Sequence, residues 1–189
     1  IITNIGEAHI ENFKNTFGIA KAKAEIFDSI KKGGLIILNR DDKFFNYLHE
    51  RAKLRKLRII TFGKSNKSDI CLLKNTKVKN ITKILLKVIN KKINLEVKNI
   101  NVYNILPAIA VLKEFNLNLS NIKKIFKNFE PSEGRGKIHN IFRYNKKFKL
   151  IDESYNANPL SVTNAINSFD LIKKNKFKKY LILGDMLEL

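Results

Sequence analysis

From about Thr16, apolar residues return at steps of three and four: Ile19, Ala20, Ile26, Phe27 and Ile30 form one stripe. That spacing predicts an amphipathic helix packed on a core. Ahead of it Ile2, Thr3 and Ile5 read as the end of a strand, and Gly6 opens a loop carrying His9. Gly33-Gly34 closes the helix, as a C-terminal glycine does. Leu35–Leu38 is an unbroken apolar run, suited to a strand buried on both faces. Asn39, Asp41 and Asp42 then read as a turn and helix cap. A helix through about Tyr47–Leu54 leads to a second short strand, Arg58–Phe62, closed by Gly63. Strand, helix, strand, helix, strand is the order of a parallel α/β sheet.

Between Asp69 and Val97 the period changes to two, with Ile81, Lys83, Leu85 and Lys87, then Ile93, Leu95 and Val97. With a turn at Asn90-Lys91 this predicts antiparallel strands added to the sheet. Val102–Phe115 is an almost wholly apolar helix and must be buried, and Ser120 caps another to about Phe129. Glu130–Gly136 collects Pro, Ser and two Gly and marks a domain boundary. Beyond it come strands Lys137–Tyr144 and Phe148–Ile151 joined by Asn145-Lys146. A helix opened by Asn158-Pro159 and a strand Tyr180–Leu183 follow.

One lysine interrupts the first pattern. Lys23 lies inside the stripe, four residues after Ile19 and three before Ile26. Lys21 points to the opposite side, roughly 200° round at about 100° per residue, and is ordinary solvated charge. For Lys23 two readings are open. Its stem lies on apolar surface while the ammonium reaches water, or burial favours a neutral amine available for chemistry or modification.

Composition narrows the class. The 189 residues are 44% hydrophobic with 13 Phe, enough for a core. Position 1 is not Met, the only Met is Met186, and the sequence opens inside an apparent strand, so an internal fragment is expected. No apolar run approaches the ~18 residues of a membrane span, nothing resembles a signal peptide, and a cytoplasmic location is expected. The single Cys71 excludes an internal disulfide and a cysteine-built zinc site, and reads as a core residue. The net charge of +20 invites a nucleic-acid partner. The charge is nearly all Lys, however, with Arg only at positions 40, 51, 55, 58, 135 and 143, and no aromatic-plus-basic motif accompanies it. A solvated surface is the better reading, and no nucleic acid is expected as a partner.

Two motifs carry more. Residues 152–159 read DESYNANP and 183–189 read LGDMLEL. With TNIGEAH, the AKAEIF around Lys23 and NVYN near Tyr103, they resemble the Mur ligases of peptidoglycan synthesis. SYNANP and GDMLEL resemble the branch that joins D-alanyl-D-alanine to UDP-N-acetylmuramoyl-tripeptide. The resemblance implies an α/β fold: the C-terminal part of a P-loop-type, ATP-binding central domain over 1–130, a hinge over 131–136, and the start of a Rossmann-like C-terminal domain over 137–189. Other Mur ligases and folylpolyglutamate synthase-like ligases are the alternatives within this chemistry.

The family phosphorylates a carboxylate with ATP and lets an amine attack the acyl phosphate, chemistry that rests on magnesium and cationic groups. The resemblance makes Lys23 a carbamylated lysine whose oxygens bind magnesium or its water shell, and His9 a ligand of the second Mg2+. It places Asn104 on the adenine, Asp152 on the ribose, and Tyr155, Asn156 and Asn158 on the cleft, although Asn158 also reads as a plain helix cap. Arg135, between two glycines in a chain that otherwise uses Lys, offers a planar fork for phosphate oxygens. His49 and His139 read as structural. The family's GxxGKT-like phosphate loop and the acidic ligand of the first magnesium are absent from these residues. The 189 residues alone are therefore expected neither to hydrolyse ATP nor to ligate.

Overall fold

The structure, a computed structural model, describes residues 1–7, 10–78, 81–98, 101–127, 129–172 and 178–186; the side chains of Ile10 and of 119–122 lie outside the description. The chain divides into two compact units, Ile1–Ile5 with Ala20–Pro131, and Gly6–Ile19 with Ser132–Leu189.

In the first unit, five strands form one sheet: β1 (Leu35–Asn39), β2 (Arg58–Gly63), β3 (Ile70–Val78), β4 (Ile81–Val88) and β5 (Lys91–Val97), in that order. The pairs β1–β2 and β2–β3 are parallel, and β3–β4 and β4–β5 antiparallel. Ile2 adds a parallel bridge to Leu38 on the outer side of β1. The change from parallel to antiparallel follows the change in apolar pattern. Ile36, Ile37 and Leu38 are all buried, as a strand covered on both faces requires, whereas β4 alternates. Its Ile84, Leu86 and Val88 face a core completed by Ile105, Leu106 and Ile109 of the helix Val102–Glu114.

In chain order the helices are α1 (Thr16–Ala24), α2 (Phe45–Leu54), α3 (Val102–Glu114), α4 (Leu119–Lys127) and α5 (Pro159–Asp170). α1 is shorter than its periodicity predicts. After Ala24 the chain tightens into a 3-10 segment, Glu25–Ser29, and at three residues per turn Ile26 leaves the stripe and is 52% exposed, while Phe27 stays buried. α4 begins at Leu119, so Ser120 lies inside the helix rather than capping it.

The second unit is thinner. β6 (Lys137–Arg143) and β7 (Lys146–Asp152) form a hairpin whose two turn residues, Tyr144 and Asn145, both have positive φ, the type I′ pattern that suits strand twist. α5 buries none of its residues. The strand expected at Tyr180–Leu183 does not form: among the described residues the segment pairs with nothing, and Ile182 is 90% exposed. An apolar run supplies a face for a strand but no ladder of hydrogen bonds.

Candidate active site

In open α/β sheets, ligands gather beyond the carboxyl ends of the parallel strands. In the first unit that edge is built by the Asn39–Asp42 turn, the segment after Gly63 and the first turn of α3. Asn39, the buried last residue of β1, donates through Nδ2 to the Thr3 carbonyl at 2.9 Å and accepts the Asp41 N–H at 3.0 Å. Asp42 accepts the Ile5 N–H at 2.7 Å and the Phe44 N–H at 2.8 Å, so it caps the turn before α2 and also holds the first strand segment.

Asp41 turns the other way. Its carboxylate accepts the backbone N–H groups of Lys64 (2.5 Å) and Ser65 (3.0 Å), just after β2, and the phenol of Tyr103 from the first turn of α3. Burial raises the Asp41 pKa, but the hydrogen bonds from Tyr103, Lys64 and Ser65 outweigh it and hold the carboxyl below its ordinary value. Burial, and then the same carboxylate, push the Tyr103 phenol well above its usual range. Gly63 is needed beside this contact, since a Cβ there would lie 2.6 Å from Asp41 Oδ2. Asn101 caps α3, its Oδ1 accepting the Tyr103 N–H at 2.9 Å, and exposed Asn104 follows in the same turn.

Lys23 corrects one expectation. It lies on the side of α1 that carries Ile19 and Ala20, but the residue is exposed and its ammonium donates to the Asn4 carbonyl at 3.2 Å. A four-carbon stem is long enough to carry the charge past the apolar surface, so the solvent-reaching reading holds and the buried neutral amine does not. His9 lies outside the described residues.

In the second unit, Glu133–Gly136 and Asp152–Tyr155 are fastened together. Asp152 Oδ2 accepts the Gly134 N–H at 3.0 Å and Oδ1 the Ser154 N–H at 3.1 Å. The Gly136 N–H donates to the Asp152 carbonyl and the Tyr155 N–H to that of Gly134. Hydrogen bonds from Ser154, with Gly134 adding, hold the Asp152 carboxyl below the usual carboxylate range. Gly134 has φ +71°, and a Cβ on it would sit 2.8 Å from that of Tyr155. The loop therefore closes only around glycine. The Arg135 guanidinium lies 4.0 Å from the centre of the Tyr155 ring, so two candidates far apart in sequence meet as a cation–π pair. Asn158 is a helix cap: its Oδ1 accepts the Ser161 N–H at 2.9 Å, and its own N–H reaches Ser161 Oγ at 3.0 Å. The Asn156 side chain accepts the N–H of Ala157. His139 pairs with Glu133 at 3.3 Å, and His49 stacks at a tilt on Phe45.

Residues 1–112 match the family model described as the Mur ligase middle domain. This chain belongs to the Mur ligases. Among relatives of this Mur ligase chain, the UDP-N-acetylmuramoyl-tripeptide--D-alanyl-D-alanine ligase of Buchnera aphidicola subsp. Baizongia pistaciae is 30% identical over 192 residues, covering 100% of the chain and 40% of that protein. The ligase of the same name from Bacillus subtilis is 27% identical over 190 residues, covering 100% and 39%. A crystal structure of MurF from Acinetobacter baumannii superposes with a TM-score of 0.75 at 26% identity, over 88% of the chain and 36% of that protein. The Mur ligase chain thus spans about 40% of the length of the curated relatives it matches. None of its helices, among the described residues, is long and apolar enough to cross a membrane.

Asn39, Asp41 and Tyr103 were missed as site-building residues. The available signal was a pair of adjacent carboxylates directly after a buried strand, Asp41 and Asp42, where a helix cap needs only one.

Proposed function

We propose that this chain is part of a cytoplasmic, ATP-dependent ligase that joins D-alanyl-D-alanine to UDP-N-acetylmuramoyl-tripeptide. The observation that carries this reading is similarity along the whole chain, SYNANP segment included, to ligases named for that reaction. The tripeptide carboxylate attacks the γ-phosphorus of ATP and releases ADP. The dipeptide amine then attacks the acyl carbon, expels phosphate and loses a proton as the amide forms.

Each residue has a part in this scheme. Asn104, exposed in the first turn of α3, offers an amide that donates to and accepts from the adenine. Each Asp152 oxygen accepts one backbone N–H, and the carboxylate retains acceptor capacity for a ribose hydroxyl. Arg135, held against Tyr155, presents its fork to phosphate oxygens. Tyr155 and Asn156 face the substrates, and Asn158 holds the end of their loop through its cap. Residues 1–130 belong to the ATP-binding domain, 131–136 to the linker and 137–189 to the C-terminal domain.

Magnesium fits residue 23 only after modification. As an ammonium, Lys23 donates to Asn4 and repels a cation; as a carbamate it would offer the hard oxygen ligands Mg2+ takes, with the His9 imidazole as a further, softer donor. With the ammonium exposed, metal binding rather than burial would hold the carbamate on the lysine. The bound ion would neutralise charge on the phosphoryl group in transfer.

The test is a chimera in which this chain replaces the stretch it matches in the Bacillus subtilis ligase. Phosphate release that needs both the tripeptide substrate and D-alanyl-D-alanine is the expected result, and Lys23→Ala should abolish it. A chimera that accepts a single amino acid in place of the dipeptide would favour another Mur ligase or a folylpolyglutamate synthase-like activity.

A further inference from the structure

We propose that the Asn39–Asp42 loop is the positioning element of the adenine subsite, acting through the Asp41–Tyr103 hydrogen bond on Asn104. The proposal rests on the reading of Asn104 as the base contact and adds what aims it.

The first turn of a helix has no backbone partners before it and frays readily, so a side chain there is only as well directed as the turn's outside attachments. Asn104 is in such a turn. The Asn101 cap is local to α3 and moves with the helix. The Tyr103 phenol is different: it reaches Asp41, 62 residues away, at the end of the parallel sheet. Its ring also meets Phe62 of β2 edge-on, with centroids 6.4 Å apart. Tyr103 and Asn104 are adjacent on a helical turn, so fixing one sets the rotation of the other about the helix axis.

An anchor must itself be held, and Asp41 is. Its carboxylate is held by the N–H groups of Lys64 and Ser65, its own N–H by Asn39, and the neighbouring Arg40 N–H by the Phe62 carbonyl at 2.8 Å. Every polar contact on the carboxylate comes from a hydrogen-bond donor. The two successive N–H groups after β2 form a small anion-accepting nest that the chain's own aspartate already fills. This arrangement suits a strut. The other side of the loop, through Asn39 to Thr3 and Asp42 to Ile5, holds the segment whose Asn4 carbonyl receives Lys23. One loop thus ties the base-reading turn and the segment that receives Lys23 to the same strand end.

The experiment uses the 189-residue chain and adenosine, a neutral probe that the +20 charge does not attract. Binding is followed by the shift of the Asn104 side-chain amide resonance, identified by its loss in Asn104→Ala. The wild type should give a saturable shift, and Asn104→Ala should lose binding. Tyr103→Phe, which removes one oxygen, should move the free-state Asn104 resonance and raise the Kd about three- to tenfold, the worth of one hydrogen bond. Asp41→Asn should weaken binding similarly and, combined with Tyr103→Phe, add little. Tyr144→Phe, in the hairpin turn, should bind as wild type. If Asn104→Ala loses binding while Tyr103→Phe and Asp41→Asn bind as wild type, the strut is overturned and the base reading stands. If the wild type gives no saturable shift, or Asn104→Ala binds normally, the base reading itself falls.

Discussion

Asp41 and Asp152 have the same mechanical task in two differently built units. Each stands at or just past the end of a strand, and each accepts two backbone N–H groups, both from the segment after Gly63 for Asp41, and from Gly134 and Ser154 for Asp152. Asp41 is backed by a core that runs from Phe62 to Leu106, and burial works against its charge before the hydrogen bonds restore it. Asp152 ends a two-stranded hairpin whose Phe142, Phe148 and Leu150 are all exposed, and its loop is closed by backbone bonds around Gly134. The lesson is that loop order can come from either source. A packed core can hold a loop from beneath, or a glycine that allows two backbones to approach can hold it from within.

The comparison breaks most sharply in the interior. Leu106→Ala, at a fully buried site, should cost about 3 kcal/mol in urea unfolding through lost burial and an unfilled cavity. Next comes Gly134→Ala, which puts a Cβ at positive φ against the backbone of Tyr155. It should cost about 2 kcal/mol and separate Arg135 from the Tyr155 ring, which loss of tyrosine-specific chemical-shift perturbation would report. Gly63→Ala should act differently, displacing the Asp41 carboxylate and reproducing the Tyr103→Phe defect in adenosine binding.

Acid sharpens the contrast with a smaller effect. Both carboxyls have folded-state pKa values below their unfolded value of about 3.9. Their stabilisation is therefore complete above that value and lost as pH falls through the folded one. Asp41→Asn should flatten the acid limb of unfolding below about pH 4, and an unchanged limb would mean the carboxylate contributes nothing there. The smallest change belongs to Phe142→Ala, at a residue 66% exposed, which should stay within about 0.5 kcal/mol.

Much of the scaffold could be read in advance, for local reasons. The apolar run Leu35–Leu38 and the alternation of β4 are short-range patterns whose strands follow directly. Asn158-Pro159 carries its own cap chemistry, and the hairpin near Asn145 its own turn chemistry, off by one residue. What failed depended on partners. The stripe around Lys23 specified a side of a helix but not how far a flexible stem carries its charge, and the Tyr180–Leu183 run specified an apolar segment but not a neighbouring strand.

The amino-acid order by itself determined the sheet-and-helix succession, the family motifs and the residue types available for nucleotide chemistry, because period, caps and turns are settled within a few residues. Only the tertiary structure decided that Asp41 faces Tyr103 and not its own helix, that Arg135 lies on Tyr155, and that the Lys23 ammonium reaches the Asn4 carbonyl. Those pairings span from 19 to 62 residues where the bond is a hydrogen bond. At such separations it is the packing of whole elements that chooses the partner.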